Sequence, residues 1–301
     1  MDPKVSIIIL NWNGLDDTIE CLDSLKKIAY PDYDVVVVDN GSKGNDIEAL
    51  KMRFGDYIKI IENDRNYGFA EGNNIGIRYA LDNLDPDYIL LLNNDTIVDP
   101  EFLTELVNAA ESDPLIGIVA PKIYWYDEPN TVQSAGGTIN WWTGALSLIG
   151  VGEVDKGQFD HVKDVDWVIG GGLLMKRQVL ERIGLLYRPY FAYFEEADWC
   201  TQCKKAGYRV VYVPKAKVWH KTARATGRVS GLRLYYMTRN RFLFMKRNAT
   251  GLQFSCFLAR FFLRDVAFTT ISMLALQRDL KSLAKFYKGI CAGISLSLRQ
   301  A

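Results

Sequence analysis

Acidic residues all but vanish from the last part of this 301-residue chain: of 36 Asp and Glu, only Asp265 and Asp279 lie after residue 220. Fifteen of the 36 Lys and Arg fall in that same stretch, so a chain of zero net charge is acidic first and basic last. Such a division argues against an evenly solvated surface and for an anionic contact at one end, either phosphate or an acidic membrane face. We expect no nucleic-acid partner. Histidine is scarce too, with His161 and His220 the two present. The five cysteines are an odd number scattered along the chain, which excludes a disulfide framework. Cys200 and Cys203 form a lone CxxC with no second pair, so they read as helix positions one turn apart rather than a zinc or redox site. The opening MDPKVSIIIL has no basic-then-apolar leader, and with reduced thiols this makes a cytoplasmic protein the expectation. In the apolar tail Arg260, Arg264 and Asp265 interrupt the run and leave an uncharged stretch of 11 residues from Val266 to Leu276, short of the roughly 20 that a helix needs to cross a bilayer. A dinucleotide or P-loop fingerprint is also missing; the glycine run of "IGGG" matches neither.

What remains is a globular chain, 49% hydrophobic, with a clear first-half rhythm. "VSIIIL", "YDVVVVDNGS", "IKIIEN" and "DYILLLNND" read as strands. "GLDDTIECLDSLKKI" and "NNIGIRYALDNL" read as helices, with "DRNYGFAEG" a loop. Continuous apolar strands alternating with helices predict a parallel sheet covered on both faces. Three strands end in the polar clusters "NWN", "DNGS" and "NND", and in such sheets ligands sit beyond the carboxyl ends. The second half predicts a strand in "DWVIGGGLLMKR", a helix from about Ala197 to Ala206, a strand "YRVVYVP", and helical, basic sequence from about Gly231.

Two clusters could carry chemistry. In "YILLLNND" a buried strand stops at Asn93, Asn94 and Asp95, whose short side chains either close an Asx turn or hold a divalent cation against a diphosphate. His220, after "VPKAKVW", is either structural or a ligand, and spacing alone does not pair it with Asp95. In "YFEEADWC", Glu195, Glu196 and Asp198 follow an aromatic run. They suit a helix N-terminus, and crowding against apolar rings would also raise a carboxyl toward the range of a general base.

In order, "VSIIILNWNG", "VVVVDNGS", "NYGFAEGNN", "LLLNND", "GGGLLMKR", "FEEADWC", "AGYRVVYVPKAKVWH" and "YYMTRNRFLF" make roughly the first 245 residues resemble the family 2 glycosyltransferases. The likeness is strongest to their rhamnosyl- and galactofuranosyltransferase-like branch. The resemblance implies an α/β GT-A fold, a Rossmann-like, mostly parallel sheet, over residues 1–230. Residues 1–120 would bind the nucleotide sugar and 121–230 the acceptor, with a helical segment over 231–301. It implies an inverting transfer from a UDP- or dTDP-sugar to a glycan or polyprenyl-linked hydroxyl, aided by Mg²⁺ or Mn²⁺. Asp39 would meet the base, with Leu10 and Trp12 beside it and Asn66, Gly68, Asn73 and Asn94 along the nucleotide. Asp95 matches the last acid of the family's DxD, His220 its distal metal ligand, and Glu196, beside Asp198, its catalytic base. Two departures stand out: Asn93 replaces the first DxD acid, and Glu196 stands where Asp is usual. A nucleotidyltransferase would be expected to open with a Gly-rich loop holding Arg and Lys, which "LNWNGLDD" lacks, and a non-catalytic sugar-nucleotide binder need not keep Glu196 and His220.

The tail carries its own expectation. Arg260 and Arg264 lie four apart on one helical face, with Phe257, Phe261 and Leu263 available to lipid. Residues 232–276 would then rest peripherally on the inner face of the cell membrane. The rival is burial of the same residues on the catalytic domain or in a homodimer.

Overall fold

The apolar runs of the first half become parallel strands because their side chains are buried on both faces. In the computed structural model, which describes residues 2–221, 230–277 and 279–298, β1 (Val5–Asn11) pairs in parallel with β2 (Tyr33–Asp39) and β4 (Tyr88–Asn93). β3 (Ile58–Glu62) extends the sheet beyond β2. Helices α1 (Leu15–Leu25), α2 (Asp46–Phe54) and α3 (Gly68–Asn83) connect these strands. After β4 come β5 (Thr96–Val98), α4 (Phe102–Glu111), β6 (Ile116–Trp125) and β7 (Val132–Ser134). A small hairpin of β8 (Gly137–Asn140) and β9 (Ala145–Leu148) stands apart from the main sheet. Then follow β10 (Lys163–Asp164), β11 (Leu173–Lys176), α5 (Arg177–Ile183), α6 (Glu195–Lys205) and β12 (Arg209–His220).

The main sheet runs β10-β12-β6-β11-β4-β1-β2-β3, with β5 on β12 and β7 on β6. It is parallel except where β11 lies antiparallel between β4 and β6, and at the short strands β5, β7 and β10. From β1 the chain winds out to β2 and β3, then returns to place β4 on the other side. That is the topological switch point, where the crevice of an open α/β sheet forms. Asn11, Asp39 and Asn93 end the three strands around it.

Three boundaries differ from the sequence expectation. α3 begins at Gly68 rather than after the loop: the Phe191 carbonyl accepts from Phe69 N at 2.5 Å and Ala70 N at 3.2 Å, satisfying orphan donors of its first turn. Gly72 and Gly76 leave α3 bare where it lies on β1; a Cβ at either would fall 2.5 Å from Leu10 or Ile8. "IGGG" is a turn, and the strand starts only at Leu173. β12 runs past Pro214 to His220, with a register irregularity between Val213 and Lys217 where proline lacks a donor.

The tail is helical: α7 (Ser230–Asn248), α8 (Gly251–Arg260), a π-turn over Phe261–Asp265, α9 (Val266–Ile271) and, beyond a second π-turn, α10 (Leu280–Leu298). α10 lies close along α7 because Gly289 and Gly293 present no Cβ; one would meet the Tyr235 or Arg239 carbonyl within 2.9 Å. Phe257 and Phe261, expected to face lipid, are buried against Phe242, so that part of the expectation is corrected: T-shaped aromatic packing claims them first. Leu263 is 82% exposed, and Arg260 and Arg264 are exposed beside it. Residues 222–229, part of the basic run after Lys221, lie outside the described residues. Among those described, no helix is long and apolar enough to cross a membrane.

Candidate active site

At the end of β2, Asp39 is 1% exposed, and its oxygens accept from Asn11 Nδ2 at 2.8 Å and Ser42 N at 2.9 Å. Asn11, the first residue of the "NWN" strand end, also reaches Ser42 Oγ and Asp46 and accepts from Thr18. Asn40 donates to Asn66 Oδ1 and the Gly68 carbonyl and accepts from Asn63 and Tyr67 N, tying the 63–68 loop to the strand end. Leu10 is partly buried, while Trp12 is exposed at the rim. Of the other expected nucleotide residues, Asn73 is buried and donates to the Phe69 carbonyl, so it supports α3 from within. Asn94 donates to Thr18 Oγ1 at 2.9 Å and steadies the start of α1. Gly68, at φ 83°, has Phe191 packed where a Cβ would be.

The ends of β4 and β12 bring Asn93, Asp95 and His220 together, a union that the 124 residues between Asp95 and His220 hid from the sequence. His220 Nε2 lies 3.0 Å from Asp95 Oδ1 and 3.3 Å from Asn93 Nδ2. On the far side its Nδ1 meets Gln133 Oε1 at 2.7 Å. Since an amide oxygen can only accept, Nδ1 carries a proton, and Nε2 is the ring atom turned to Asp95. Burial alone would raise the Asp95 pKa, but the His220 hydrogen bond and charge outweigh it and hold the carboxyl below its ordinary value. A carboxylate and an imidazole nitrogen 3.0 Å apart, with the Asn93 amide beside them, fit a divalent cation. Among the described residues no cluster of three or more His, Cys, Asp or Glu could hold a metal, so a cation here would draw its remaining ligands from a diphosphate and water.

Glu196 sits at the N-terminus of α6, half-buried, with Oε1 accepting from Gly170 N at 3.1 Å. A Cβ built on Gly170 would lie 2.6 Å from Glu196 Oε1, 2.9 Å from Phe69 and 3.5 Å from Asn93 Oδ1. One bare Cα thus lies between the Glu196 carboxylate and Asn93, whose amide in turn lies 3.3 Å from His220, and a side chain at Gly170 would fill that gap. Burial pushes the Glu196 pKa up to about 7, with its own and the Gly170 amide N–H pulling the other way. Glu195 is 2% exposed with Oε2 unpartnered; burial and then the Glu196 charge hold its pKa well above the ordinary carboxylate value.

Asp198 does not join them. Two residues along a helix is 200° of rotation, and Asp198 points to α7, where it meets Asn248 Nδ2 at 2.5 Å and Arg247 Nε at 3.1 Å. The structure thus places Asp198, expected beside the catalytic base, in an ion pair and hydrogen bond with α7. The loop ahead of α6 is strained: Phe191, Tyr193 and Phe194 have φ of 64°, 71° and 78°, a conformation costing L-residues about 1–2 kcal/mol each.

Residues 3–241 match the family described as "Glycosyltransferase like family 2". The chain belongs to that family. Its curated relatives include the low-salt glycan biosynthesis hexosyltransferase Agl10 of Haloferax volcanii, 28% identical over 242 residues covering 79% of this chain and 74% of that protein. The dTDP-rhamnosyl transferase RfbF of Shigella flexneri is 27% identical, over 90% of this chain and 87% of its own length. The N-acetylglucosaminyl-diphospho-decaprenol L-rhamnosyltransferase of Mycobacterium tuberculosis is 25% identical, over 72% and 76%. Among solved structures, the Pyrobaculum calidifontis mannosyltransferase PcManGT, in complex with GDP-Man and Mn²⁺, matches with a TM-score of 0.60 at 16% identity, covering 100% of this chain and 88% of that one. The protein is a glycosyltransferase of GT-A fold.

Proposed function

We propose that this family 2 glycosyltransferase is an inverting enzyme, moving a sugar from a UDP- or dTDP-linked donor to a hydroxyl of a glycan or polyprenyl-linked acceptor. The observation that carries the reading is Glu196: a carboxylate lifted to about pKa 7 by burial, one glycine away from Asn93, whose amide lies beside His220. Near neutrality such a group can take the proton of an attacking hydroxyl. With the base on one side and the diphosphate on the other, a single displacement inverts the anomeric centre. Asn93, Asp95 and His220 would hold Mg²⁺ or Mn²⁺, which supplies charge stabilisation for the departing nucleoside diphosphate. Asp39 and its Asn11 and Ser42 partners would receive the base.

The tail supports a lipid-linked acceptor. Along α8 and α9, Arg260, Leu263, Arg264, Phe268 and Ile271 are exposed together, and the one acid between them, Asp265, is turned to Arg241 at 3.0 Å. An apolar face with cations and no free acid suits an anionic membrane surface. Product stereochemistry tests the central reading: NMR of the transferred sugar should show the anomeric configuration opposite to the donor's, and retention would overturn it.

A further inference from the structure

The "YYMTRNRFLF" segment has so far no part in the site, yet Asn240 within it is fully buried. Its Nδ2 donates to three carbonyls of the strained loop before α6: Tyr190 at 2.9 Å, Ala192 at 2.7 Å and Tyr193 at 2.7 Å. Its Oδ1 accepts from Arg239 Nε at 2.8 Å, which fixes which end of the amide faces the loop. Arg239 Nη2 adds bonds to the Pro189 and Tyr190 carbonyls.

What these bonds hold would not hold itself. Phe191, at φ 64° and ψ −59°, is the centre of a γ-turn closed by Ala192 N to the Tyr190 carbonyl at 2.8 Å, the rare and strained form of that turn. Tyr193 and Phe194 are also left-handed, and α6 begins at the next residue. Sparsely populated backbone of this kind persists only where its surroundings over-determine it. Here three carbonyls of the loop are gathered onto one side-chain amide. The Phe191 carbonyl, on the other side of the loop, takes the first amides of α3. The loop is therefore pinned between α3 and α7, and its exit direction sets where Glu196 stands over Gly170.

We infer that Asn240, oriented by Arg239, is a positioning residue for the general base: it fixes the loop 190–194 so that the Glu196 carboxylate sits beside Gly170. The inference rests on Glu196 being the base. It joins α7, which packs along α10, through the loop to the catalytic carboxylate.

The test is a double-mutant cycle on the full chain, following nucleoside diphosphate release from dTDP-rhamnose, UDP-N-acetylglucosamine or GDP-mannose, whichever turns over with Mn²⁺. Asn240→Asp keeps the shape but sets a carboxylate oxygen against three carbonyls. Its kcat should fall by about 10- to 100-fold, the scale set by a 1 Å misplacement, while donor KM and nucleoside diphosphate Kd stay within a few-fold. Combined with Glu196→Gln it should cost nothing further, because groups acting through one another are not additive. Arg239→Gln, which loosens the amide without burying a charge, should reproduce the pattern more weakly and serves if Asn240→Asp does not fold. Multiplicative losses in the double variant, or nucleotide affinity falling in step with kcat, would mean a general structural role and overturn the inference. Glu196→Gln turning over at the wild-type rate removes the base itself, a failure read from that variant alone.

Discussion

Gln133 Oε1 receives the Nδ1 proton of His220 at 2.7 Å, and this one bond decides what His220 offers to the crevice. With Nδ1 committed, Nε2 is the ring atom left to face Asp95, 3.0 Å away, and the one a cation there would meet. Partners behind a ligating histidine typically change metal affinity by about 10–100-fold when removed. Gln133→Leu should therefore weaken nucleoside diphosphate binding in Mn²⁺ by about that factor and leave binding in EDTA unchanged, as calorimetry would read. Asp95→Ala should do the same. Equal losses in EDTA would mean that both residues serve the fold.

Gly170 should tolerate no side chain for activity, though it should for folding. A Cβ there meets Glu196 Oε1 at 2.6 Å, the movable end of a side chain. Gly170→Ala should lower kcat by about tenfold or more through displacement of the base while nucleotide affinity stays near wild type. A kcat equal to wild type would show that the carboxylate needs no fixed seat.

The crevice was legible in the sequence because strand ends at a switch point announce themselves: "NWN", "DNGS" and "NND" do converge as Asn11, Asp39 and Asn93. Gln133 was not legible, since the three-residue β7 has no periodicity to set it apart. Asn240 looked like any polar residue of an aromatic-rich helix; only the fold brings the 190–194 carbonyls to it. Asp198 misled because three acids in four residues look like one cluster, whereas helical rotation sends them to different faces. In the tail, spacing identified an amphipathic segment but not which aromatic side chains the helices would bury among themselves.

Exposed Leu263, Phe268 and Ile271 with Arg260 and Arg264 should float the protein with anionic liposomes at low salt, each cation near the surface adding about 1 kcal/mol. Phe268→Glu with Ile271→Glu should return it to the bottom fraction without loss of nucleotide binding. Wild-type protein that stays at the bottom and elutes as a dimer would assign this face to a second copy of the chain.

Glu196 makes turnover and stability depend on pH in opposite directions. Its folded pKa, about 7, lies above the ordinary 4.5, so between those values the native state holds the extra proton and stability falls as pH rises through the window. Glu196→Gln removes that cost, and at pH 8 the variant should melt above wild type, a difference that should vanish at pH 4. Wild-type kcat should rise with pH through about 7 as the base ionises.

Turnover of Glu196→Gln at saturating donor, set beside its donor Kd, tests the account most directly. Glutamine keeps the shape and the Gly170 hydrogen bond but cannot take a proton. The account predicts a kcat lower by about 10²-fold or more with donor Kd within a few-fold of wild type. A kcat near that of wild type would contradict it.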